Sequence, residues 1–174
     1  KLKHEISRHK VQLNNLSTRF FKQHSLILSE STPYEIVAYN DYAKVRYYPA
    51  PVRHFLEPLV LVAPFAINMA IYDLFPYRSL VKHFQNQGFD VYLVEWKHFR
   101  FRDHHIHFLT IIDYALPDCI QKIRQHAGSD QISLHGWSMA GIFVLLYSAL
   151  QQPNFVKNLI VLGSPIDSYA SGII

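Results

Sequence analysis

Apolar and polar positions along this chain follow two rhythms. From residue 35 onward, short runs rich in branched and aromatic side chains are separated by turn formers, and the runs 35–39 and 44–48 around Asn40-Asp41 read as a hairpin. The run Pro58-Leu59-Val60-Leu61-Val62-Ala63 is apolar at successive positions, the pattern of a strand covered by helices on both faces. The spacing predicts a helix over 72–87 closed by Gly88, a strand over 89–94 and a helix over 111–127 before Gly128. Pro117 lacks an N–H, so it must kink that helix or mark its true start. A strand over 131–135, a helix over 139–151 and a strand over 158–162 follow. Strands alternating with helices imply an α/β fold with a mainly parallel sheet and helices on both faces.

The first 24 residues have a different rhythm. Leu2, Ile6, Leu13, Leu16 and Phe20 recur at spacings of three, four and seven, which places them on one stripe of an amphipathic helix. Six basic residues there face only Glu5, a balance of 6 − 1 = +5, and the whole chain is at +4, so the other 150 residues are at −1. The chain thus divides into a basic helix with its linker over 1–31 and an α/β domain over 32–174. The arm admits three readings: packing on the domain, docking on a protein partner or an anionic granule or membrane surface, and binding nucleic acid. Packing or docking is favoured because the apolar stripe would otherwise be exposed, and no nucleic-acid motif accompanies it, so no nucleic-acid partner is expected.

Composition narrows the class further. At 49% hydrophobic and 14% aromatic over 174 residues, the chain has material for one core, which excludes overall disorder. The longest uncharged stretch, 131–156, is interrupted by Gln131, Ser133, His135, Gly136, Gly141, Gln151 and Pro153, so a membrane-spanning helix is not expected. The first residues lack the layout of a signal peptide, and the chain opens on Lys1. A lone Cys119 cannot form an internal disulfide, which points to a reducing, cytoplasmic setting.

The candidate chemistry centres on His135-Gly136-Trp137-Ser138-Met139-Ala140-Gly141, between an apolar strand and an apolar helix. This is a nucleophile-elbow pattern: a serine at a tight strand-to-helix turn needs small residues two before and two after it, and Gly136 and Ala140 fill those places. Such a turn holds the Ser138 hydroxyl clear of the sheet at the positive end of the following helix, where the Met139 amide can donate to an oxyanion. The alternative is a small-residue turn with an incidental serine. A second oxyanion donor would come from the loop after the 58–63 strand. Pro64 cannot donate, which leaves the amide of Phe65 or Ala66, the alternative there being an ordinary apolar loop.

These segments also carry a family resemblance. Leu61-Val62-Ala63-Pro64-Phe65-Ala66-Ile67-Asn68, then Tyr72-Asp73-Leu74, Ser79-Leu80-Val81, Gln87-Gly88, Val91-Tyr92-Leu93-Val94 and Trp96 resemble the front half of polyhydroxyalkanoate synthases and their relatives in the α/β-hydrolase superfamily. The elbow and Leu162-Gly163-Ser164-Pro165-Ile166-Asp167 continue the match, which covers roughly residues 33–167. The resemblance implies an acyl ester or acyl-CoA type of substrate and no cofactor or metal. Those synthases typically carry cysteine at the elbow, whereas serine with a histidine base typically serves ester or thioester hydrolysis, so Ser138 points to an esterase, thioesterase, depolymerase or acyltransferase. In such hydrolases the acid and then the histidine follow the nucleophile, yet none of the 174 − 138 = 36 residues after Ser138 is a histidine. The expectation is therefore a chain truncated after the strand that follows the nucleophile helix, inactive alone, with its histidine and acid beyond Ile174. The competing reading is a non-enzymatic, synthase-like interaction protein that binds a partner or granule through its basic helix.

Other residues are weaker candidates. Asp167 stands where an acid can sit in this fold, but a turn or capping role is favoured. His104, His105 and His107 near Asp103 match no helical ligand spacing and read as a polar loop. Cys119 reads as buried packing.

Overall fold

A computed structural model of the chain describes residues 11, 29, 32–65, 67, 69–97, 107–167 and 169–170. The amphipathic arm expected over 1–24 thus lies outside the described residues, Val11 excepted, as do Ala66, His104 and His105.

The predicted hairpin forms from β1 (Glu35–Tyr39) and β2 (Ala43–Tyr48), which pair antiparallel. Asn40 closes it: its Oδ1 accepts the N–H groups of Tyr42 at 2.9 Å and Ala43 at 2.8 Å, the local bonding that makes Asn a turn former. Then come β3 (Leu59–Val62), a short 3-10 turn over Met69–Ile71, β4 (Asp73–Phe75), β5 (Arg78–Ser79), α1 (Leu80–Asn86) and β6 (Val91–Trp96). A helical turn over Phe108–Thr110 and a π-helical stretch over Ile111–Ala115 lead into α2 (Leu116–Ala127). The chain continues through β7 (Ile132–Trp137), α3 (Met139–Gln151) and β8 (Val156–Leu162).

Six strands make one sheet in the order β1-β2-β6-β3-β7-β8, while β4 and β5 form a separate pair. From β6 to β8 every neighbouring pair is parallel. This is the α/β architecture that the alternation of elements predicts. β3 lies in the middle with all four residues buried, as its unbroken apolar run requires. Each fully buried Val or Leu there contributes about 1.5–3 kcal/mol. On one face, Tyr92 and Trp96 of β6 reach His126 of α2 and Phe143 of α3. On the other, Tyr72 packs edge-on against Trp137, with ring centroids 6.3 Å apart.

Two predicted elements change. The expected helix over 72–87 forms only over its second half, and β4 and β5 replace its first half. Pro76 removes a helical donor. Buried Asp73 accepts the Thr32 N–H at 2.7 Å and hydroxyl at 2.9 Å, and Ser79 caps α1 by accepting the Lys82 N–H at 3.0 Å. Pro117 sits in the first turn of α2, where its missing N–H is harmless, and the preceding turn widens so that the Leu116 N–H reaches back to the Ile111 carbonyl.

Candidate active site

Ser138 stands between the end of β7 and the start of α3, half-buried, with φ 55° and ψ −125°. That backbone is neither helical, extended nor ordinary left-handed, a region that costs a non-glycine residue about 1–3 kcal/mol. Gln152, the other described non-glycine residue with positive φ, lies instead in the ordinary left-handed well at φ 43° and ψ 50°. Two bonds hold the serine in place: its N–H donates to the Leu162 carbonyl at the end of β8 at 2.9 Å, and its own carbonyl accepts the Gly141 N–H at 3.0 Å.

The small neighbours are needed for the reason the sequence suggests. A Cβ on Gly136 would stand 2.7 Å from the Ala140 carbonyl carbon and 2.7 Å from Gly141 Cα, backbone that cannot move aside without shifting α3. Gly141 is equally constrained, since a Cβ there would lie 2.8 Å from Ser164 Cβ and 2.9 Å from Val161 Cγ1. The glycine at 141 thus lets α3 settle against β8 and the loop after it. Ala140 is fully buried.

Met139 begins α3, so its amide is one of the first-turn N–H groups that have no intrahelical acceptor. The helix has 13 residues, and its positive end lies at Ser138. Phe65 reaches the same end of the sheet because β3 and β7 are parallel neighbours with Val62 opposite Gly136. Its ring packs on Phe143 of α3, with centroids 4.8 Å apart. The alternative donor, Ala66, falls outside the described residues.

The remaining candidates occupy structural roles. Asp167 accepts the N–H groups of Tyr169 and Ala170, both at 3.0 Å, in keeping with the turn or capping role favoured for it. Cys119 is buried in the core, where desolvation pushes its thiol up to about 12. Among the described residues no group of His, Cys, Asp and Glu is arranged to hold a metal, and no histidine is hydrogen-bonded to Ser138. Nor is any described helix long and apolar enough to cross a membrane. A cleft of about 620 Å³ lined by Arg53, Glu57, Asp130 and Lys157 opens beside the residues that enter β3, β7 and β8, at the opposite end of the strands from Ser138.

Three features escaped the sequence reading. His135 is buried beside the elbow on the opposite face of β7 from Gly136, with no partner at Nδ1, and burial lowers its pKa. Tyr72 and Trp96 each give their polar hydrogen to a backbone carbonyl at the end of β3. A buried polar tip on a large aromatic ring was the available signal, but its partner is set by tertiary contact.

A family model described as "alpha/beta hydrolase fold" matches residues 66–173. The chain is 34% identical over 132 residues to the poly(3-hydroxyalkanoate) polymerase subunit PhaC of Haloferax mediterranei, a match covering 74% of this chain and 26% of the relative. Its likeness to the subunit of the same name from Synechocystis is 33% over 140 residues, covering 78% and 36%. The chain therefore spans about a quarter to a third of the length of these curated relatives. Among solved structures, Francisella virulence factor BioJ aligns with a TM-score of 0.61 at 15% identity, covering 89% of this chain and 50% of that one. The thioesterase domain from the curacin biosynthetic pathway aligns at 0.54 and 14% identity, covering 83% and 52%.

Proposed function

The chain belongs to the α/β-hydrolase fold family, and on that premise we propose that it carries the nucleophile of a serine hydrolase or acyltransferase acting on acyl esters or thioesters. The observation that carries this reading is the Ser138 backbone, strained at φ 55° and ψ −125° where an ordinary turn would relax. The similarity to poly(3-hydroxyalkanoate) polymerase subunits supports an acyl substrate.

In the proposed reaction Ser138 Oγ attacks the acyl carbonyl carbon and its proton passes to a histidine base. The amides of Met139 and of Phe65 or Ala66 hold the carbonyl oxygen as it becomes negative. The bond from carbon to the leaving oxygen or sulfur then breaks, and the leaving group takes the proton. Water or an acceptor hydroxyl finally attacks the acyl-serine, its proton passing through the histidine to Ser138 Oγ as the carbon–Oγ bond breaks, which releases the acid on hydrolysis or the new ester on transfer. No metal or organic cofactor takes part, and coenzyme A would leave as the thiol from a thioester donor. Segment 1–31 is read as the part that meets a protein partner or an anionic granule or membrane surface, and 32–174 as the acyl-transfer domain.

Expressed from its complete reading frame, the protein should be labelled at Ser138 by a fluorophosphonate probe. Ser138→Ala should abolish labelling while leaving the far-ultraviolet circular dichroism unchanged. A folded protein that resists the probe would instead favour the non-enzymatic interaction role.

A further inference from the structure

We propose that Tyr72 and Trp96 are positioning residues that aim the Phe65 side of the oxyanion site. This proposal rests on the acyl-transfer reading of Ser138. The sheet ladder runs out just past β3. The Ala63 N–H makes a last ladder-type bond to the Val94 carbonyl at 3.1 Å, and the next residue, Pro64, has no N–H to give.

At that point two side chains take hold of two successive peptide planes. The Tyr72 hydroxyl donates to the Val62 carbonyl at 3.0 Å, and the Trp96 indole N–H donates to the Ala63 carbonyl at 2.5 Å. These donors lie 10 and 33 residues further along the chain. Both are buried, so neither bond competes with water. Fixing the Val62 and Ala63 carbonyls fixes the direction in which the chain leaves β3. The first amide beyond Pro64 is that of Phe65.

Trp96 also acts through its ring. It packs edge-on against Phe65 at 5.3 Å between centroids and against Phe143 of α3 at 6.1 Å. Phe65 in turn meets Phe143 at 4.8 Å. The exit from β3 is therefore tied both to the sheet and to the helix that begins at Ser138. Neither Tyr72 nor Trp96 needs to touch substrate for this. Their effect is to keep a backbone donor at a set position while negative charge develops, which is where preorganised amides act.

The test compares Tyr72→Phe and Trp96→Phe with Tyr92→Phe in the protein expressed from its complete reading frame. Tyr92 is the control because it too is buried on β6, four residues before Trp96, and donates or accepts a bond of 2.8 Å with His126 away from the loop. The maximal rate of fluorophosphonate labelling should fall about tenfold in Tyr72→Phe and in Trp96→Phe, less than the loss of a whole oxyanion donor. The probe concentration for half-maximal rate should stay unchanged, and Tyr92→Phe should label at the unsubstituted rate. Hydrogen exchange at the Phe65 amide should quicken in the first two variants alone. Labelling of all three variants at the unsubstituted rate, or equal losses in all three, would overturn the positioning role. Absence of labelling in the unsubstituted protein would instead remove the reading of Ser138, and the proposal with it.

Discussion

Ser138 concentrates the cost of the site in one residue. Only glycine occupies its backbone region freely, so Ser138→Gly should raise folding stability by about 1 kcal/mol, relief of strain less the entropy glycine adds to the unfolded chain, while abolishing probe labelling. Urea midpoints for the two proteins decide this, and a lower midpoint in the glycine variant would show that the turn holds no strain. His135, three residues earlier, gives a pH signature. Burial lowers its pKa below the ordinary 6.5 and its Nδ1 has no partner, so the folded state takes up a proton less readily than the unfolded state. Its contribution to stability is therefore complete above the ordinary histidine range and shrinks as pH falls through and below it. Between about pH 7.5 and about pH 5.5, the urea midpoint should drop further in the unsubstituted protein than in His135→Phe. Equal drops would show that His135 titrates normally.

At the scale of elements, α3 offers a place to gain stability. It ends on Gln152 at φ 43° and ψ 50°, a left-handed cap in which a side chain is disfavoured. Gln152→Gly should stabilise the protein by about 0.5–1 kcal/mol without altering labelling at Ser138, as read by thermal melting beside the probe assay. The start and end of α3 were legible in the sequence because apolar periodicity, the small residues at the elbow and the following Gln152-Pro153 agree over one short stretch. The segment over 72–87 was not, because Leu74, Leu80, Val81 and Phe84 keep a helical spacing while the first half is held extended by Asp73 binding Thr32, 41 residues away. Local spacing carries no record of such a bond.

Across the whole molecule, β8 is one of the two edge strands of the six-stranded sheet among the described residues, β1 being the other, and pairs with β7 on one side. Ile160 is 40% exposed and Leu162 is 53% exposed, on the face of β8 that continues His135 and Trp137. An exposed, apolar sheet edge is a template for pairing with another chain. The 174-residue polypeptide should therefore self-associate as its concentration rises, and Ile160→Lys should suppress this without lowering helical content. Sedimentation velocity on both proteins is the measurement, and equal association would place the contact elsewhere.

Local pattern along the chain is enough to set the order and kind of most elements, the buried central strand, the hairpin at Asn40 and the elbow at Ser138. Each depends on periodicity or on residue types within a few positions of one another. Tertiary structure alone decided that β6, β3, β7 and β8 lie side by side, which brings Phe65 and Ser138 to one end of the sheet. It also decided that Tyr72 and Trp96 meet carbonyls of β3 and that Asp73 meets Thr32. Parallel strands must be joined by long crossovers, so the residues that become neighbours are far apart in the chain and no local pattern specifies which will meet.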